Sequence, residues 1–294
     1  MLFNSLQFFI FYLAVLAALF LLPCRYRWLL LLVASVYFYM CWNPKYIIFL
    51  MFIITIDYLC GIGMGRIQTL SLRRLLLSIS LLSNLGLLFT FKYFNFFVHN
   101  ISALTGYQFP VLNLILPIGI SFHVFQSIAY TIDVYRRRVK PEKHAGIFAL
   151  YVMFFPQLVA GPIERPQNLL PQFHEKKPFT YDNLRSGAQL ILWGLIKKVC
   201  IADLIAVPVN QVYSSPSAYS GPILLLATIY FAIQIYCDFS GYTDIARGTA
   251  KIMGYDLMIN FRQPYFSHSI KEFWQRWHIS LSTWFRDYVY YLVG

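Results

Sequence analysis

Charge is scarce in this sequence, and acidic charge scarcest. Of 294 residues, 12 are Asp or Glu and 24 are Lys or Arg, so charged residues make up 12%. Soluble domains carry about 25%, which excludes an ordinary soluble globular protein. Several chemical signatures are missing as well: HExxH, any paired His/Cys spacing, a GxSxG elbow and a Gly-rich phosphate loop. No metal site is expected. The five cysteines, Cys24, Cys41, Cys60, Cys200 and Cys237, are odd in number and lack CxxC spacing. They lie in or beside apolar segments, which argues for reduced thiols rather than a disulfide framework. Neither a repeat, a low-complexity tract nor a linker divides the chain, so residues 1–294 are expected to form one membrane domain. The N-terminus has no basic region before its first apolar run and no small-x-small cleavage site. Residues 5–22 are therefore expected to be a retained span rather than a signal peptide.

What the chain has in abundance is apolar length. It is 59% hydrophobic with a mean hydropathy of +0.57, and runs of about 20 apolar residues suit a ~30 Å hydrocarbon core. The expectation is an all-α, polytopic integral membrane protein with spans near 5–22, 27–42, 46–64, 75–94, 115–134, 187–206 and 220–237. The net charge of +12 is dispersed in short clusters between these runs: Arg25 and Arg27; Arg66, Arg73 and Arg74; Arg136, Arg137, Arg138, Lys140 and Lys143. That spacing is the positive-inside pattern of cytoplasmic loops, and no nucleic-acid partner is expected. Binding of anionic lipid head groups is the secondary reading. Loops 23–27, 65–74, 135–144 and 161–186 are assigned to the cytoplasm, and loops 43–46 and 95–114 to the outside. Both flanks of the short segment 146–160 then lie inside, so the favoured reading is that it dips in and returns, and the other is a short, tilted span with one loop misassigned. Its broken backbone requires surrounding protein or a water-filled cavity.

After residue 237 the chain turns polar. Asp238, Ser240, Tyr242, Asp244 and Arg247 are expected at a helix end, followed by an extended connector from Asn260 to Phe266. Asp238 and Asp244 are about 1.7 turns apart, on different helical faces, so they form no carboxylate dyad. Pairing with Arg247, or capping of backbone groups at the membrane surface, is the plainer reading.

Histidine is the one titratable base for neutral pH. His99, His144 and His174 fall in loops, His268 in the polar connector. His123 lies inside a span, where a hydrogen bond between helices competes with a functional role. His278 has different company. Wound as one helix, residues 271–289 put Phe273, Trp274, Trp277, Leu281, Trp284, Phe285 and Tyr288 on one side, with Arg286 and Asp287 on the polar side. His278 falls on the border, suited to general base work. An interfacial helix anchored by tryptophans explains the same pattern.

Five stretches carry a family resemblance: 156–165 (PQLVAGPIER), 238–248 (DFSGYTDIARG), 260–265 (NFRQPY), 273–282 (FWQRWHISLS) and 284–288 (WFRDY). Together they resemble the membrane-bound O-acyltransferases, in the bacterial branch of alginate O-acetyltransferases and teichoic-acid D-alanyl transferases. The resemblance runs the length of the chain. It implies a helical bundle with re-entrant and interfacial helices, of which this chain is expected to be the N-terminal part, in the cytoplasmic (inner) membrane. The activity implied is transfer of an acetyl or other small acyl group to a hydroxyl of an exported glycan or partner protein. The implied donor is a cytosolic thioester, acetyl-CoA or an acyl-carrier-protein thioester, with no bound cofactor. A secreted or periplasmic acetyl-handling protein is the implied partner.

His278 resembles the first of two family active-site positions; the second, a histidine on a later helix, has no counterpart in these residues. Trp274, Trp277 and Phe285 would line the acyl passage, supported by Arg286, Asp287, Asp238, Ser240, Tyr242 and Asp244. Two other readings stay open: a non-catalytic export or scaffold subunit or inactive fragment, and an acyltransferase directed to lipid or protein.

Overall fold

A computed structural model describes residues 1, 3–112, 114, 117, 119–158 and 161–291. Its helices are α1 (Leu6–Leu21), α2 (Cys24–Met40), α3 (Ile47–Arg66), α4 (Leu70–Lys92), α5 (Phe94–Thr105), α6 (Ile120–Tyr135), α7 (Ala145–Met153), α8 (Pro166–His174), α9 (Tyr181–Leu195), α10 (Asp203–Ser214), α11 (Gly221–Ile252), α12 (Ile270–Arg276) and α13 (Ile279–Phe285). There is no strand among the described residues. Three helical stretches are long and apolar enough to cross a bilayer, Pro44–Arg66, Leu70–Lys92 and Gly221–Ile252, with Leu6–Leu21 a shorter apolar helix.

The chain forms two compact units. One comprises Met1–Leu30, Ala160–Pro162 and Glu175–Thr283; the other comprises Leu31–Val159, Ile163–His174 and Trp284–Gly294.

In the first unit α9 and α11 run antiparallel at backbone contact. A Cβ on Gly187 would lie 2.7 Å from the Gly248 carbonyl oxygen, and one on Gly194 would lie 2.6 Å from that of Gly241. Both glycine pairs are seven residues apart, so two turns of each helix bring the same stripe back to the contact. The Tyr12 hydroxyl donates to the Thr249 carbonyl at 2.9 Å, fastening α1 to α11.

In the second unit α3, α4 and α6 share a buried polar seam. Asp57 accepts from Ser80 Oγ at 2.6 Å and from Asn84 Nδ2 at 2.9 and 3.0 Å. Ser80 also reaches Thr131 Oγ1 at 3.0 Å. Polar side chains of this kind join helices where no water is available as an alternative partner. α7 has 9 residues, far short of the ~20 a span needs, and Ile147 to Met153 are all buried. Its broken end is satisfied by protein: Gln126 and Gln157 both donate to the Tyr151 carbonyl at 2.7 Å, and Ser35 Oγ accepts from Phe155 N at 3.0 Å. Val159 and Ala160, at the end of the expected 146–160 dip, lie outside the described residues, as do three residues at the start of the expected 115–134 span.

Four expectations are corrected. The polar stretch 238–247 is no helix end: α11 runs 32 residues through it to Ile252, because α9 covers one face and the π-helical segment that follows α9 supplies partners for its charges. The 187–206 span passes through a π-helical segment, Ile196–Ala202, and continues as α10 to Ser214. The 95–114 loop contains α5, which ends at Gly106 in the left-handed region, φ +71°. The continuous helix over 271–289 does not form. It breaks between α12 and α13, and after Phe285 becomes a π-helical turn, Arg286–Tyr290.

Candidate active site

The break in the expected 271–289 helix falls at His278. Its φ is +44°, a left-handed conformation uncommon outside glycine and, among other residues, enriched in Asn, Asp and His. α12 is begun by Ser269, whose side chain accepts from Glu272 N at 3.1 Å, while Glu272 reaches back to His268 N at 2.8 Å. This is a reciprocal cap close to the capping box, and Glu272 also pairs with Arg276 at 2.5 Å. The helix ends with Trp277 N donating to the Phe273 carbonyl at 2.8 Å.

The connector after α11 then restarts the helix. Asn260 is fully buried. Its carbonyl accepts from Ile279 N at 2.9 Å, and its Oδ1 accepts from Ser280 N at 3.2 Å and from Ser280 Oγ at 2.9 Å. Arg262 N donates to the Arg276 carbonyl at 3.0 Å on the other side of the break. A residue 18 positions upstream of His278 thus satisfies the first orphan N–H groups of α13.

The imidazole sits in an aromatic enclosure within this unit. Phe239 of α11 meets it edge-on at 4.8 Å, and Phe261 of the connector lies nearly parallel at 6.5 Å. Trp277 packs on Phe261 at 5.1 Å, Phe273 at 5.5 Å and Tyr265 at 6.0 Å. His278 is 9% exposed. Burial lowers its pKa from 6.5 to about 4, since the apolar surroundings disfavour the charged ring. At neutral pH it is an uncharged imidazole.

Beside this enclosure lies a cavity of about 780 Å³, whose walls include Phe261, Lys197, Asp244, Arg262, Gln275 and Arg276. Phe261 is common to both. The π-helical segment turns its two lysines onto α11: Lys197 Nζ pairs with Asp244 at 2.5 Å, and Lys198 Nζ with Asp238 at 2.5 Å and Asp203 at 2.7 Å. Arg247 lies 3.6 Å from Asp244, the pairing expected from sequence. The lysine partners were not foreseen, because nothing along the chain links residues 197 and 244. Ser240 is buried, and Tyr242 lies 5.1 Å from the Lys198 ammonium and 6.2 Å from the Phe3 ring.

The structure does not bring every expected site residue together. His278, Trp277, Asp238, Ser240, Tyr242 and Asp244 belong to the first unit. Trp274 belongs there too but is 53% exposed, packing on Phe273 at 5.6 Å. Phe285, Arg286 and Asp287 belong to the second unit. There Phe285 lies 5.9 Å from Phe125, and Asp287 takes Arg165 at 3.2 Å and Arg286 at 2.8 Å. Their neighbour Trp284 donates to the Phe125 carbonyl at 2.8 Å, and Tyr288 to Asp133 at 2.6 Å. Phe239, Phe261 and Asn260 are the members that reasoning on single residues missed, although each lies within the stretches that carry the family resemblance.

A helical protein with membrane-crossing stretches, whose buried histidine sits in an aromatic enclosure beside a charged cavity, fits the acyl-transfer class the motifs suggest. Residues 144–294 match the membrane-bound O-acyltransferase family, and the chain belongs to that family. It is 41% identical over 301 residues to a probable alginate O-acetylase of Pseudomonas syringae, covering all of this chain and 58% of the relative. It is 35% identical over 293 residues to a peptidoglycan O-acetyltransferase of Helicobacter pylori, covering 91% of this chain and 55% of that one. With a teichoic acid D-alanyltransferase of Bacillus subtilis it shares 33% identity over 187 residues, 62% of this chain and 46% of the other. The chain therefore spans about half the length of these curated relatives.

Proposed function

We propose that the protein is a membrane O-acyltransferase that moves an acetyl or similarly small acyl group from a cytosolic thioester to a hydroxyl of an exported polysaccharide, with His278 as general base. The observation that carries this reading is a neutral imidazole flanked by Phe239 and Phe261, with Trp277 packed on Phe261, beside a large cavity whose walls carry paired charges of both signs. Family membership and the two O-acetyl-transferring relatives support it.

The chemistry follows from the ring's state. A neutral imidazole accepts the acceptor hydroxyl's proton as its oxygen attacks the thioester carbonyl carbon. Negative charge developing on that oxygen raises the ring's proton affinity at the moment of transfer. The C–S bond breaks, the acyl group stays on the new ester, and the thiolate leaves with the proton from the imidazolium. Aromatic walls keep water from competing for the acyl carbon. Arg262 on the cavity wall suits the phosphates of a coenzyme A or carrier-protein thioester, with Lys197 and Arg276 joining it on exchange of Asp244 and Glu272 for phosphate. In this reading the protein lies in the cytoplasmic membrane, the cavity opens to the cytosol, and a secreted acetyl-handling protein serves on the acceptor side.

The test is acyl transfer by His278→Ala in the protein as its organism makes it. A loss of at least about 10²-fold, with unchanged membrane insertion, is expected of a general base. Full activity would remove His278 from the mechanism.

A further inference from the structure

A second cavity, in the other unit, is basic in a way the acyl-transfer reading does not use. It measures about 280 Å³ and lies where the end of α3 and the start of α4 meet the loop after α6. Arg73, Arg137, Lys140 and Gln68 supply its polar walls, and no carboxylate lines it among the described residues. Two loops that the positive-inside pattern puts in the cytoplasm, 65–74 and 135–144, thus converge on one concavity. Arg137 Nη2 donates to Gln68 Oε1 at 2.9 Å across it. Gly65 allows the approach, since a Cβ there would lie 2.2 Å from Pro141 Cγ.

One of the cations is built in, while Arg137 and Lys140 line the pocket from its exposed side. Arg73 is 5% exposed, and its Nη2 donates to the Val134 and Tyr135 carbonyls at 3.2 and 2.5 Å. Its Nε has no acceptor among the described residues. α6 ends in a Schellman motif, Arg138 N to the Asp133 carbonyl at 2.9 Å and Arg137 N to that of Val134 at 3.1 Å. Glycine is the usual residue at the left-handed position of that motif, yet here it is Arg137, at φ +60°. The plainer account is that Arg73 merely caps α6. A helix C-terminus offers only about half a negative charge, which leaves most of the charge of three cations uncompensated.

We infer that this pocket binds a phosphate oxyanion, supplied by the headgroup of an anionic phospholipid in the leaflet that faces loops 65–74 and 135–144. Membrane-crossing helices ending in a basic pocket are where such headgroups are held. The adjoining surfaces of α3 and α4 are apolar and exposed at Leu59, Leu72 and Leu75, which suits the acyl chains of a lipid better than free phosphate.

The experiment measures thermal stabilisation of purified protein by dihexanoyl phosphatidylglycerol, dihexanoyl phosphatidylcholine and inorganic phosphate. Phosphatidylglycerol is expected to give a saturable rise in melting temperature, and phosphatidylcholine none. Lys140→Gln should raise the apparent Kd about fivefold, and Arg137→Gln with Lys140→Gln about 25-fold, at the energy a membrane-surface cation contributes. The exposed pair Arg66→Gln and Arg74→Gln, which removes equal charge outside the pocket, should leave the Kd unchanged. Because Lys140→Gln leaves the Arg137 cap in place, its result stands even if the double variant fails to fold. Inorganic phosphate matching phosphatidylglycerol would overturn the lipid assignment. The absence of any saturable shift, or equal weakening by the pocket and surface pairs, would overturn the site.

Discussion

Asn260 and Ser280 are joined by two buried hydrogen bonds, Ser280 N and Oγ both donating to Asn260 Oδ1 at 3.2 and 2.9 Å. With the Asn260 carbonyl taking Ile279 N, one side chain and its own backbone start α13 immediately after the left-handed His278. The candidate base is therefore aimed by a residue of the connector rather than by the helix that carries it. Asn260→Ala would leave two buried donors without their acceptor, a cost of about 1–3 kcal/mol for each group stranded. Acyl transfer and melting temperature are expected to fall together, and Asn260→Asp, which keeps the acceptor, should recover both in part. Wild-type turnover by Asn260→Ala would show that His278 is positioned some other way.

Folding keeps the His278 ring neutral, with a pKa of about 4 against 6.5 when exposed. The native state therefore binds fewer protons than the unfolded state between those values. Linkage makes this contribution complete above pH 6.5, and it is lost as pH falls toward 4. The melting temperature of the wild type should drop over that window more than that of His278→Asn, a residue that tolerates the left-handed backbone. Parallel pH profiles for the two proteins would contradict the assignment.

The α9–α11 contact has no room for a side chain at its glycines. Gly194→Val should force the helices apart, with Gly241 O 2.6 Å and Ile245 N 2.9 Å from the new Cβ. A cost of about 1–3 kcal/mol is usual for overpacking. Gly221→Ala, at a site with nothing within 4 Å of its Cβ, is the control and should be tolerated. Chemical or thermal unfolding in detergent distinguishes them.

Membrane orientation is open to direct labelling. In a cysteine-free background, single cysteines at positions 100 and 138 should react from opposite sides, 138 from the cytoplasm, as the distribution of Lys and Arg requires. Reaction of both from the outer side would overturn the topology.

Much of the helical plan was legible along the chain, because crossing a bilayer leaves its mark as run length. α1, α3 and α4 fall where apolar runs placed them. The short buried α7 was marked by its length and by the Gly161-Pro162 break. Helix continuity was not legible at two decisive places. At 238–247, polarity suggested an end, and only the lysines of the π-helical segment show how carboxylates continue inside a helix. At 271–289, periodicity suggested one amphipathic helix, and only Asn260 shows why it breaks.

By itself, then, the sequence determined a helical membrane protein, its O-acyltransferase family motifs and the histidine worth attention, since composition, run length and motif spacing are properties of the linear chain. Tertiary structure alone decided which groups meet that histidine. Phe239 and Phe261 are 39 and 17 positions away from it in the chain, and the acceptor that holds its turn is 18 away. Helical periodicity reports neighbours three or four residues apart, and contacts over such separations are set by how α11, the connector and the broken helix pack.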